Sequence, residues 1–403
     1  MKVLKESKFL YLSFLSLFLA SSLLASDGRE FLTKEQQEIL EIEEKVNKKS
    51  STNLRYDWIK PIVASYSYSK SDQIGKFSSS KYFRISFSQE VFKSGGIYFA
   101  IKYSNANEVF KEIAFKTKEA NLIKSLYDGV LNLKKLDFEI EKTNLSLKNA
   151  HIDIKRKTEQ FESGLIDSSF LDSAILNKTK LQHQLLNLES LKFSTENSFK
   201  NISNINYKDI KLPEFKSVQK DEFIKNSLEI ASKKVQKDEQ RNLKNMTISS
   251  YLPTFSLFGD YNHKDDELQF FKQAKEYKSY GAKVTMPIFA VNRSRDIEIR
   301  KLEYLKAKIS LNEQKKISLN EFLSIENSIL ILKKRVKIAK EDLLLYDSLI
   351  KNTSEGVSGG EKTTDDLLTL KNSKNIAKLD VEIYEIDTKL EILKLYAKMS
   401  DAI

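Results

Sequence analysis

QFESGLIDSSFLDSAIL (160–176) interrupts a long, charged, helix-forming tract in a chain that holds only 11 glycines. A glycine, small polar residues, an aspartate and a leucine follow one another, and the helical pattern then resumes. The same punctuation returns as TSEGVSGGEKTTDDLLTL (353–370). Each reads as a turn between two helices. Two matched turns in one chain point to a duplication, and the period of that duplication decides the fold.

Ahead of each turned tract lie two segments that alternate like strands. WIKPIVASYSYSKS (58–71) precedes KYFRISFSQEVFKSGG (81–96), and SSYLPTFSLFGDYNH (249–263) precedes YKSYGAKVTMPIFAVNRS (277–294). Phe83, Ile85, Phe87, Gln89 and Val91 share one face, while Tyr82, Arg84, Ser86, Ser88 and Glu90 share the other. Tyr280, Ala282, Val284 and Met286 likewise oppose Gly281, Lys283, Thr285 and Pro287. Period two, with one greasy and one wet face, predicts strands over 57–70, 81–92, 250–262 and 278–289. Pro61 and Pro253 open the first strand of each pair. EVF (90–92) and PIF (287–289) close the second.

A helical tract follows each pair, over 97–161 and 292–352, each about 100 Å long at 1.5 Å per residue. Ile123, Leu126, Val130, Leu133, Leu136 and Ile140 step by threes and fours. So do Ile325, Ile329, Leu332, Val336, Ala339, Leu343, Tyr346 and Ile350. Ile376, Leu379, Ile383, Ile386, Leu390, Leu393 and Ala397 repeat the pattern beyond the second turn. Sustained spacing of this kind is a coiled-coil seam. Each long helix is therefore expected to turn, near 162–170 and near 353–366, and return against itself. The first return helix covers about 168–201, breaks around Pro213 and resumes over 221–245. A helix over 31–49 fills the space left where the second return helix ends. The repeats span 26–218 and 219–403.

Residues 1–25 read as a secretory signal peptide: Lys2, Lys5 and Lys8, an apolar run, then a polar switch at Ser26. Ser26 stands where a lipidated cysteine would be needed, which excludes a lipid anchor. The net charge of +11 comes from 67 basic residues interleaved with 56 acidic ones. That mixture is a solvated helix surface and gives no nucleic-acid footprint. The absence of cysteine fits an oxidising destination.

Four strands are too few to close a membrane barrel alone, and open edges in lipid would strand backbone groups. Three copies would supply twelve. The expected fold is mainly α with a small β part: a homotrimer forming a 12-stranded β-barrel continued by an α-helical tunnel. Tyr66, Tyr68 and Tyr280 read as interfacial aromatics. Arg84, Ser86, Lys283 and Thr285, on the wet face, are the barrel-lumen candidates.

From about Arg29 to Ile403 the chain resembles the TolC-type outer-membrane factors, the outer-membrane efflux proteins. SYLPTFSLFG is similar to the family's strand-opening motif. FESGLIDSSFLDSA and the second turn with DDLL are similar to its two helical-tip motifs. SQEVFKSGG resembles its Q-P-L-F-x-G-G, departing at Glu90. The resemblance implies an exit duct in the outer membrane of a Gram-negative bacterium, with its helices in the periplasm. It would serve tripartite efflux or type I secretion, docking a periplasmic adaptor (membrane fusion) protein linked to an inner-membrane efflux pump or ABC transporter.

The tip residues expected to meet an adaptor are Gly164, Leu165, Gly356 and Val357. Counting from Gly360, Asp366 matches the family's first gate aspartate, the second gate position falls on Thr369, and Lys362 takes the place of a tip arginine. Asp365 and Asp366 are the gate candidates beside Lys362: three carboxylates round an axis would narrow a cation-favouring mouth. The plainer reading of Asp365 and Asp366 is helix N-capping. Glycines 164 and 356 would then serve only to permit positive φ.

No catalytic, cofactor or metal site is expected. His151, His183 and His263 are scattered, glycine pairs 95–96 and 359–360 are strand-end and turn glycines, and Asp265–Asp266 reads as loop charge. A secreted coiled-coil structural or adhesive protein without a pore is the competing class. It explains the heptads but not the matched strand pairs.

Overall fold

The computed structural model describes residues 26–73, 76–266 and 275–400; the proposed signal peptide lies outside them. In chain order the elements are α1 (Ser26–Arg29), α2 (Lys34–Tyr56), β1 (Val63–Gln73), β2 (Lys76–Phe92), α3 (Gly96–Glu162), α4 (Ser168–Lys200), α5 (Lys220–Asn226), α6 (Leu228–Ser250), β3 (Thr254–Asp266), β4 (Glu276–Thr285), α7 (Arg293–Ser358) and α8 (Thr364–Tyr396). The chain is mainly helical with a small antiparallel sheet. The strand-pair and helical-hairpin plan occurs twice, with long helices of 67 and 66 residues and return helices of 33 each.

Strand limits differ from the sequence expectation in a consistent way. β1 begins at Val63 because α2 continues to Tyr56 and the chain then turns, with the Ile59 N–H on the Tyr56 carbonyl (2.9 Å). The Gln89 side chain satisfies this turn, accepting from the Lys60 N–H (2.9 Å) and donating to the Trp58 carbonyl (3.1 Å). β3 likewise begins after α6, at Thr254, and runs on to Asp266, so Asp265–Asp266 ends a strand rather than lying in a loop. β4 stops at Thr285, short of Pro287, which has no N–H to give a ladder. The second helical tract runs to Ser358, six residues past the expected 352, and α2 extends beyond 49.

The described residues divide into two compact units: a helical one (26–41, 116–228 and 316–400) and a mixed one (within 42–115 and 229–315). The mixed unit carries the sheet, in the order β1-β2-β3-β4. Its register sets Ala64, Ile85, Tyr261 and Lys278 on one rung and Ser65, Arg84, Asn262 and Tyr277 on the next. A bulge between Glu90 and Phe92 shifts β2 against β3. Two cross-strand glycines make room for rings. A Cβ at Gly259 would sit 2.4 Å from the Phe87 ring opposite it, and one at Gly281 would sit 3.0 Å from Phe258. Aromatics laid over strand glycines let a sheet coil while keeping its register. Gly259→Val is expected to displace Phe87 and lower stability by about 1–3 kcal/mol, measured as a fall in thermal midpoint. Gly259→Val with Phe87→Ala should recover part of it.

In the helical unit the first predicted seam is the core. Leu126, Val130, Leu131 and Leu133 on α3 are fully buried, as is Leu393 on α8. A second cluster joins Phe223, Phe322, Leu395 and Met399. The segment between α4 and α5 is fastened to α3 by Tyr207, whose hydroxyl donates to Asp137 (2.8 Å), a carboxylate also paired with Lys192 (2.6 Å). The resumed helix is not continuous. It breaks at Ser227, which bridges to Met399, while the Leu228 N–H donates to the Lys398 carbonyl (2.9 Å) and the Ser400 N–H to that of Asn226 (3.0 Å). Backbone groups freed by the break are thus satisfied by the chain's C-terminal turn.

Candidate pore-lining face and hairpin tips

Alternation sorts the four strands into two unlike faces. Tyr66, Tyr68, Phe83, Ile85, Phe87, Phe255, Leu257, Tyr261, Tyr280, Ala282 and Val284 share one. Tyr280 is 88% exposed and Val284 69%, and Phe83 meets Tyr261 edge-to-face at 6.5 Å. The other face carries Ser65, Ser67, Arg84, Ser86, Ser88, Glu90, Thr254, Ser256, Asp260, Asn262, Ser279, Lys283 and Thr285. All four lumen candidates therefore lie together on the polar face, as their alternation implied. Arg84 Nε donates to Asp260 (2.9 Å) across β2 and β3, and the Tyr82 hydroxyl donates to the buried Asn262 amide oxygen. An open concavity of about 900 Å³ covers this face, lined among others by Arg84, Ser86, Asp260, Lys283 and Thr285.

At the far end of each hairpin the long helix stops in a Schellman motif. In the first, Gly164 is left-handed (φ 71°); its N–H donates to the Phe161 carbonyl (2.9 Å), and the Leu165 N–H reaches back to Gln160 (2.9 Å). In the second, Gly360 takes φ 76°, with its N–H on Val357 (3.2 Å) and the Glu361 N–H on Gly356 (2.9 Å). A left-handed residue at this place satisfies the orphan carbonyls of the helix end, and glycine adopts it without strain. The next helix starts three residues later in both cases, at the caps Asp167 and Thr363. Gly164 thus corresponds to Gly360 and Leu165 to Glu361. Gly356 and Val357, the tip candidates of the second hairpin, sit instead in the last turns of α7, and the positive φ expected at Gly356 is found at Gly360.

Asp366 completes a capping box. It receives the Thr363 N–H (3.2 Å) and hydroxyl (2.7 Å), and gives its own N–H to the Thr363 oxygen (3.1 Å). Arg156 approaches its other oxygen at 3.3 Å, and Lys155 pairs with Asp365 at 3.0 Å. The Lys362 side chain lies against Gly356, its ammonium donating to the Thr353 hydroxyl (3.2 Å).

No protein-family model matches the chain, and no curated protein does. Solved structures do match, over almost its whole length. A membrane protein from Pseudomonas aeruginosa aligns with TM-score 0.72 at 12% identity, over 93% of this chain and 89% of that one. The outer membrane protein VceC of Vibrio cholerae aligns with 0.70 at 12%, covering 92% and 93%. The Campylobacter jejuni CmeC outer membrane channel gives 0.69 at 15%, covering 92% and 84%. The fold is that of the TolC-type outer-membrane channels. At such identities the likeness rests on architecture, since the side chains have almost all been replaced.

Within this TolC-type fold, contacts of α3 with α8 follow a rule that the apolar seams did not reveal. Lys135 pairs with Asp387 (2.7 Å), Lys142 with Asp380 (2.5 Å), Asn149 with Ser373 (3.4 Å) and Arg156 with Asp366 (3.3 Å). Both partners advance by seven, in opposite directions. Asn372, buried beside this row, donates its amide to Asn149 (2.8 Å). A seven-residue spacing holds two supercoiled helices in contact, and a buried amide pair selects one register. Asp366 is therefore both the capping-box partner of Thr363 and the last rung of a polar ladder. The signal was present in the sequence as basic residues and aspartates at heptad intervals.

The tip caps carry a pH dependence. Hydrogen bonds from Ser169 hold the Asp167 carboxyl below the usual aspartate range. Those from Thr363 do the same for Asp366, with Arg156 and Lys362 adding to them. A depressed carboxylate contributes stability above its unfolded pKa and loses it as pH falls through the folded one. Both turns should hold between pH 5 and 8 and fray only below about pH 4. Amide exchange at Ser169 and Asp366 checks this, and fraying already at pH 6 would refute it.

Proposed function

We propose that this chain is an outer-membrane exit duct, a homotrimer whose twelve strands close one barrel and whose helices continue as a periplasmic tunnel. The observation that carries this reading is the sheet. It has four strands, two unpaired edges at β1 and β4, one face with an exposed apolar band that gives way to Lys70, Lys81, Glu276 and Lys278 toward the β1–β2 and β3–β4 connections, and one polar face. In water the apolar face would be a liability; in lipid it fits, provided that the edges are paired, because each unsatisfied backbone group there costs several kcal/mol. Three copies pair every edge with another chain's.

The helices support the same assembly. Leu302, Leu305, Ile309, Ile331, Ile338 and Leu345 on α7 are exposed apolar residues outside its seam with α8, a second stripe that a neighbouring copy would cover. The channels VceC and CmeC share the fold, and we extend their outer-membrane placement to this chain. The duct would receive substrate from a periplasmic adaptor and an inner-membrane efflux pump or secretion transporter, with the hairpin tips as the docking ends. Protein purified in detergent from the outer-membrane fraction should be a trimer that dissociates on heating. A monomer that retains full strand content by circular dichroism would overturn the reading.

A further inference from the structure

The charges over the polar face do not balance. Six charged side chains line its concavity: Lys60, Arg84, Lys93 and Lys283 against Glu90 and Asp260. Both acids are taken. Asp260 is bound by Arg84 across the strands, and Glu90 by Lys93 at 2.9 Å. Lys60 and Lys283 are exposed and have no acidic partner among the described residues. Lys283 shares a rung with Ser256 and Glu90. Glu90 therefore stands two strands away, about 10 Å at the usual strand spacing, and is already neutralised. The remaining lining of the face is mostly serine and threonine, which screens neither sign. Each chain thus contributes two uncompensated ammonium groups to one concave polar surface.

We propose that Lys283, with Lys60, makes the strand-lined segment of the duct anion-favouring, so that it passes anionic solutes more readily than cations of the same size. This rests on the channel reading above. Closure by three copies would repeat Lys283 around the axis in a single ring. A ring of one sign inside low-dielectric walls concentrates counter-ions and sets selectivity. The class of solute it suits bears carboxylate, sulfate or phosphate groups.

Reversal potentials of trimers in planar lipid bilayers, across a potassium chloride gradient, test this. Lys283→Glu should lower the chloride-to-potassium permeability ratio by about threefold or more; Lys283→Gln should lower it less, and Lys283→Arg should leave it unchanged. Lys60→Gln should shift it in the same direction as Lys283→Gln. If Lys283→Glu trimers conduct with the ratio of the unaltered protein, the inference is wrong and the duct stands. If intact trimers of the unaltered protein do not conduct at all, the channel reading fails and the selectivity falls with it.

Discussion

Leu165→Asp should abolish export while leaving trimer, membrane insertion and helical content intact. Leu165 occupies the residue after the left-handed glycine of the first hairpin, and its side chain is 74% exposed. Its backbone N–H makes the motif's long hydrogen bond, which a change of side chain leaves in place. Phe161 and Phe170, exposed on either side of the same turn, complete an apolar cap on an otherwise polar hairpin end. The Lys157 ammonium lies 5.5 Å from the centre of the Phe170 ring. Buried apolar anchors commonly supply 2 kcal/mol or more to an interface, so a carboxylate in this patch should weaken adaptor docking by roughly thirtyfold or more. The measurement is substrate accumulation in cells, with trimer on an unheated gel as control. Normal export from Leu165→Asp cells would remove the first tip as a docking end. Gly164 is a poorer test site, because any β-branched residue there strains the backbone at φ 71° before a partner is involved.

The second tip shows why the positive φ was expected at Gly356 and lies at Gly360. Gly356, Gly359 and Gly360 fall within five residues, and any of them could end a helix. What selects Gly360 is a backbone hydrogen bond, Glu361 to Gly356, together with the Thr363 cap of α8. Neither leaves a mark at the glycine itself. A spacing of three from glycine to cap, present at 164–167 and again at 360–363, was the legible signal. The tips also differ chemically. The place of Leu165 is taken by Glu361 and that of Ile166 by Lys362, so the first hairpin ends in apolar residues and the second in charges.

Strand faces, helix lengths and the buried seam of α3 were readable because period two and period 3.5 depend on chain-wide alternation, which a single sequence records well. Strand ends were less readable. α2 and α6 each run directly toward a strand, and the handover depends on one proline and on the Gln89 side chain reaching a turn 29 residues away. The helix break at Ser227 was not readable at all. Its cause is a bridge to Met399, a partner 172 positions distant in the chain, and no local propensity encodes such a contact. The gate candidates lie between these cases: their position at a helix start was plain, whereas their pairing with Lys155 and Arg156 needed the α3–α8 register.

That register yields the other large effect. Replacing both Asp380 and Asp387 by lysine should destabilise the helical unit by about 2–4 kcal/mol. Each half-buried pair is worth around 1 kcal/mol, and the change adds like-charge repulsion against Lys142 and Lys135. Their side chains are only 24–38% exposed in these pairs, so solvent screens the repulsion incompletely. Reversing the partners as well, with Lys135→Asp and Lys142→Asp, should restore most of the loss, because the heptad geometry accepts either polarity along the row. Thermal or denaturant unfolding of the four combinations measures the coupling directly. Additive losses with no rescue would mean that the aspartates act on α8 alone, and the ladder would not hold the two hairpins together. Asp366→Asn, at the end of the same row, separates its two roles. At this third helical position a neutral amide oxygen can still accept the Thr363 N–H, as glutamine does in a capping box, but asparagine gives up the charge facing Arg156. α8 should therefore keep its start, and only the coupling to Arg156 should disappear. Loss of the α8 start in Asp366→Asn would show that the carboxylate charge, rather than the capping geometry, holds that turn.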